Sequence, residues 1–144
     1  MHRMRTGVGR TGDDEGSILP LMLGYALLAL AMILVCTCAT DLYIAQKRLD
    51  SLADAAALAG ADGFVLVVDG DSARAELTDA GVHAQAAALV AALPGEAHLV
   101  SATSPDGVSA RVIVQGVWHP PVLSPFVPDG ITLSATATSR TALR

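Results

Sequence analysis

A chain of 144 residues has room for one modest domain, since domains typically hold about 100 to 150 residues, so a large multi-domain enzyme is excluded. Hydrophobic residues make up 52% but aromatics only 3%, and much of the apolar content is Ala, which packs closely but adds little core volume; the soluble part is expected to be marginal alone and stabilised by partners. The net charge is -5, and nine Lys and Arg without a cluster argue against nucleic acid, whose phosphates call for a concentrated basic surface.

From Ile18 to Thr40 the chain runs 23 residues without a charge, which as a helix is about 34 Å long against a hydrocarbon core of about 30 Å. A single transmembrane helix over 18–40 is therefore expected. Ser17 is placed to cap it, Pro20 falls in the first turn, where a missing N–H costs little, and Asp13, Asp14 and Glu15 lie at the positive end of the dipole. Asp41 stops the apolar run, and Tyr43 stands where an interfacial aromatic belongs. Arg3, Arg5 and Arg10 precede the span, while Lys47 and Arg48 follow it. This bias and the short amino tail put residues 1–17 in the cytoplasm and the carboxyl-terminal part outside the plasma (inner) membrane. A cleaved signal peptide, with Thr37 and Ala39 as its small-residue site, fits less well, because such apolar regions run about 7 to 15 residues. Cys36 and Cys38, two residues apart on a helix, point in different directions and read as small apolar fillers.

Beyond the span, Leu42, Ala45, Leu49, Leu52, Ala56 and Ala59 recur at alternating spacings of three and four. This narrow, Ala-rich seam continues the helix as an amphipathic extension over 41–61, with Lys47, Arg48, Asp50 and Asp54 on its solvated side. The seam either covers the outer domain of its own chain or packs against neighbouring helices. Residues 62–144 then read as a small α+β domain with one further helix and an antiparallel sheet of about three to four strands. Phe64 to Val68 is a continuous apolar run consistent with a buried strand, and Asp69, Gly70 and Asp71 form a turn. A helix is expected from about Ser72 to Leu93, capped by Asp71, with Val82, Ala86, Leu89, Val90 and Leu93 as its stripe and Pro94 and Gly95 as its stop. From Ala97 the period becomes two: Val108, Ala110, Val112 and Val114 share one face, and Ser104 to Gly107 supplies a hairpin turn. His119 to Gly130 holds four prolines and reads as a stiff loop, and 131–142 alternates as a closing strand that is polar on one face.

No constellation in the sequence carries chemistry. His83, His98 and His119 fall on a helix, a strand start and a loop, without the close spacing of a metal or nucleophile motif. Asp69, Asp71 and Asp79 lack the further ligands of a calcium loop and read as turn and cap residues. Trp118 either anchors the proline loop to the core or offers an outer contact surface. The expectation is no catalytic, metal or cofactor site, no cofactor and no small-molecule substrate.

Gly16 and Ser17 before the span, Asp41 and Tyr43 after it, and above all QKRLDSLADAAALAGA from Gln46 to Ala61 are together similar to the amino-terminal segment of TadE/TadG-like proteins of bacterial Flp (tight adherence) pilus systems. In that family an Arg-Leu pair precedes an Ala-Asp-Ala-Ala-Ala-Leu-Ala block, here Arg48 and Leu49 followed by Ala53 to Ala59. Val117 to Leu123 and the Thr/Ala strand resemble the short actinobacterial members more weakly. The resemblance implies a non-enzymatic membrane component of pilus assembly or secretion, with other Tad/Flp pilus assembly proteins, further copies of itself and the lipid bilayer as partners. A type IV prepilin carries Glu at the fifth mature position, but cutting after Gly12 places Ser17 there and cutting after Gly16 places Leu21, so an uncleaved anchor is expected. The chain is also too short for the von Willebrand-type domain of long TadG-like proteins. The competing reading is a membrane-tethered ligand-binding or sensor module that uses Trp118 and the proline loop.

Overall fold

The computed structural model describes residues 18–140, with the side chains of Ser72 and Ala73 left aside. The cap expected at Ser17, the acidic residues Asp13, Asp14 and Glu15, the arginines Arg3, Arg5 and Arg10, and the end of the closing strand at Ala142 lie outside the described residues. The fold is α+β, in the order α1 (Ile18–Ala61), β1 (Phe64–Asp69), β2 (Ser72–Leu77), α2 (Asp79–Ala92), β3 (His98–Thr103), β4 (Ser109–Trp118) and β5 (Ile131–Arg140). It separates into two compact units, one ending at Thr37 and the other beginning at Cys38.

Helix α1 holds 44 residues without interruption. The charge at Asp41 does not break it, because Leu, Ala, Gln, Lys and Arg beyond that point are good helix formers and no proline follows Pro20 within it. It ends where Asp62 N–H turns back to Ala59 O and Gly63 N–H to Gly60 O, each at 3.1 Å. Cys36 is exposed and Cys38 half-buried.

Two expectations for the next segment need correcting. Phe64–Asp69 is a strand, but not a buried one: Val65, Leu66 and Val68 are exposed, because β1 pairs only with β2 in a separate two-stranded sheet. Ser72–Leu77 belongs to that hairpin and not to a helix, with Phe64 opposite Leu77 and Asp69 opposite Ser72. Gly70, at φ +64°, begins the two-residue turn between the strands, so Asp71 is a turn residue rather than a helix cap. The alternation of Ala75 and Leu77, both buried, with exposed Arg74 and Glu76 suits a strand. Helix α2 therefore starts at Asp79, with Thr78 as its N-cap accepting from Gly81 N–H at 3.1 Å. Val82 and Ala86 of its expected stripe are wholly buried, Leu89 and Val90 pack against the core, and Leu93 is the half-exposed C-cap.

Strands β3, β4 and β5 form an antiparallel sheet in that order. β3 carries an irregularity between Leu99 and Ser101, while β4 and β5 pair without a shift from Ser109↔Arg140 to Trp118↔Ile131. Ala110, Val112 and Val114 are fully buried on the inner face, as the alternation predicts, but Val108 precedes the strand and is exposed. Ala135 and Ala137 of β5, Ala102 of β3 and Leu77 of β2 join them, with Leu49, Ala53, Ala56, Ala57 and Ala61 from α1 and Val82 and Ala86 from α2. The largest fully buried side chains are valines, and the end of α1 meets the start of α2 closely. A Cβ on Gly60 would lie 2.9 Å from Val82 Cγ1, and one on Gly63 would lie 2.6 Å from the Gly81 carbonyl oxygen. The second contact is backbone against backbone, which no rotamer change relieves.

Candidate functional site

The carboxyl-terminal part of α1 follows β4 and β5, and a ladder of contacts fixes its position. The Trp118 indole Nε1–H donates to Asp41 Oδ2 at 2.7 Å; Gln46 Nε2 donates to the Ser134 carbonyl at 3.1 Å and to Asp50 Oδ1 at 2.9 Å. The site that a Cβ on Gly116 would take is 3.6 Å from Leu49 Cδ1, and that on Gly60 is 3.4 Å from Ala110 Cβ. Of the six seam residues, Leu49 and Ala56 are core residues, and Leu42, Ala45, Leu52 and Ala59 are half-buried. The most deeply buried stripe also includes Ala53, Ala57 and Gly60, which the heptad reading missed. The signal was available as small residues four, eight and eleven positions after Leu49, the 3.6-residue period of one helical face.

On the flank of that stripe lies an open groove of about 610 Å³. Ala45, Leu49 and Leu52 of α1 line it, together with Leu93 and Pro94 after α2 and Trp118 of β4. The structure therefore joins three seam residues and the tryptophan in one concave surface. Gly116 contributes to its lining without a side chain, and Arg48 is the only charged residue among the described residues that line it. An apolar groove with one cation can accept aliphatic or aromatic side chains, whereas acid–base or nucleophilic work would need further groups. Trp118 is 9% exposed and bonded through its indole nitrogen, so it holds the start of the proline loop against α1 and also borders the groove.

The remaining polar residues serve the fold. His83, His98 and His119 are exposed on α2, the first residue of β3 and the loop, and among the described residues no group of three or more His, Cys, Asp or Glu could hold a metal ion. Asp79 Oδ1 accepts from Ser104 N–H at 2.7 Å, which ties the start of α2 to the end of β3. Asp106 organises the β3–β4 turn: its carboxylate accepts from the Ser109 hydroxyl at 2.8 Å and from the N–H groups of Val108 and Ser109 at 3.1 and 2.6 Å. These bonds, the hydroxyl first, hold its pKa below the ordinary carboxylate value, and the charge of Arg140 adds to them. Lys47 and Asp50 form a solvent-exposed ion pair at 3.4 Å, with the Lys47 ammonium 5.9 Å from the centre of the Tyr43 ring.

Residues 16–63 match the family model of TadE/G-like Flp pilus-assembly proteins. The matched stretch contains the whole of α1 and stops at the Asp62–Gly63 turn. It coincides with the segment whose Arg-Leu and Ala-Asp pattern resembles that family, so the TadE/G-like resemblance holds for the helix and its extension. Neither the curated proteins nor the solved structures gave a match.

Proposed function

We propose that the protein is a non-enzymatic, membrane-anchored component of an Flp/Tad-type pilus assembly or secretion apparatus of the cell envelope, acting through helix packing and protein contacts. The TadE/G-like match over residues 16–63 carries this reading. Residues 18–40 cross the plasma (inner) membrane, the amino end lies in the cytoplasm, and 62–144 form the extracytoplasmic domain that the extension over 41–61 joins to the anchor. Among the described residues one helix is long and apolar enough to cross a bilayer. Its large apolar side chains between Ile18 and Val35 are exposed, a surface that water penalises and lipid accepts. The groove beside Leu49 and Leu52 is where another Tad/Flp assembly protein, or a second copy, packs an apolar helix face. Deleting the gene should abolish pilus assembly, and complementation with Leu52→Arg should restore the protein to the membrane but not the pili. Normal piliation of the deletion strain would remove this reading.

The groove also supports a second reading, a tethered module that binds a small apolar envelope component, because its volume falls within the range of about 300–1,000 Å³ usual for small-molecule sites. Ligand-dependent stabilisation of the full chain in detergent, lost in Leu52→Arg, would favour it.

A further inference from the structure

The loop between β4 and β5 displays an apolar surface that neither the core nor the groove uses. Val122, Leu123 and Phe126 are exposed, Phe126 to 81%, and no lysine or arginine occurs between His119 and Gly130. The segment is held as successive tight turns: Phe126 and Val127 N–H donate to Leu123 O, Gly130 N–H donates to Val127 O, and four prolines restrict the backbone further. The side chains of Val122, Leu123 and Phe126 are thus presented outward on a stiff frame, while Pro120 is buried against the domain.

Both ends of this loop are fixed beside the point where the apolar run of α1 stops. Trp118 pairs with Ile131 across the loop base, and the Trp118 indole is bonded to Asp41, the residue that follows Thr40. Contacts farther along α1 fall progressively farther from the loop, with Gln46 at Ser134 and Gly60 at Ala110. Tyr43, 63% exposed, lies half a turn beyond Asp41, at the level where an interfacial aromatic sits.

We infer that the 119–130 loop is a membrane-surface element, with Val122, Leu123 and Phe126 entering the interfacial layer of the leaflet that α1 leaves at Asp41. This inference rests on the proposed span over 18–40. The partner is lipid and the attraction is apolar, because the loop has no cation to draw it to anionic headgroups; raised salt leaves the contact unchanged. The loop then fixes the domain at two places, through the helix and through the lipid surface, and so restricts how the groove is presented.

Collision accessibility of single nitroxide labels in phosphatidylcholine nanodiscs tests this on the full chain, with Cys36 and Cys38 replaced by Ala. Labels are placed through Phe126→Cys and, independently, Val122→Cys, with Leu30→Cys marking the span and His83→Cys marking water. Positions 126 and 122 should resemble position 30, with oxygen collisions exceeding nickel-chelate collisions severalfold at low and high salt. Behaviour like position 83 would overturn the inference while leaving the anchor standing, and so would shielding from both reagents, the sign of a protein partner. A water-like position 30 would overturn the span and, with it, the inference.

Discussion

From Ile18 to Val35, α1 exposes leucines, isoleucines, methionines and a valine, whereas from Leu49 to Ala61 the same continuous helix buries one leucine, four alanines and a glycine. The bulky side chains face outward and the small ones face inward, the reverse of an ordinary globular helix. This contrast separates two environments. Large exposed apolar surface suits lipid, where helices need only satisfy their own backbone. Small residues suit close approach to a sheet, where each one contributes little buried area and the fit between backbones must carry more of the stability. The domain is therefore expected to respond sharply to added volume in its half of the helix and weakly to changes in the other.

The strongest test is to enlarge a fully buried position of that helix. Ala56→Leu adds three carbons at a fully buried site and should cost about 3 kcal/mol or prevent folding, read as the urea midpoint of the full chain in micelles. Truncating the facing sheet should cost less: Val112→Ala removes two methyl groups from a fully buried side chain, for a loss of about 2 kcal/mol. At the junction of the two halves, Asp41→Ala leaves the largely buried Trp118 N–H without its acceptor, costing about 1 to 2 kcal/mol and shifting Trp118 fluorescence as the loop base loosens.

Asp106 gives a smaller effect that depends on pH. Its folded-state pKa is lowered, so it contributes stability above the ordinary carboxylate range and loses that contribution as pH falls through the lowered value. Asp106→Asn should flatten the acid limb of the midpoint-versus-pH curve, and equal slopes in the two proteins would rule out this role. The smallest effect is expected at Leu28→Ala, in the exposed half, which should move the domain's midpoint by less than about 0.5 kcal/mol. A loss as large as that of Val112→Ala would break the contrast between the two halves.

The alternation of β4 and β5 was legible in the sequence because a two-residue period needs no distant information: Val112, Val114, Ala135 and Ala137 face inward as read. Misreading SARAEL as the start of a helix has a physical origin as well. Ala, Arg, Glu and Leu favour helices, and six residues are too few for their period to outweigh propensity; pairing with Phe64–Asp69 decided the matter. The apolar run taken as buried is exposed because pairing satisfies only the backbone, whereas side chains on the two faces of a strand are buried only by a layer packed over each face.

Sequence alone determined the uncharged 23-residue run, the helix that continues past Asp41, the proline-stiffened loop and the resemblance to TadE/G-like proteins, because each rests on contiguous residues. Tertiary structure alone decided which face of the Ala-rich helix is buried, that Trp118 reaches Asp41 across 77 positions, and that three seam residues share a groove with that tryptophan. Those facts depend on how closely glycines and alanines allow backbones to approach, and on chain segments that meet only once the sheet has formed.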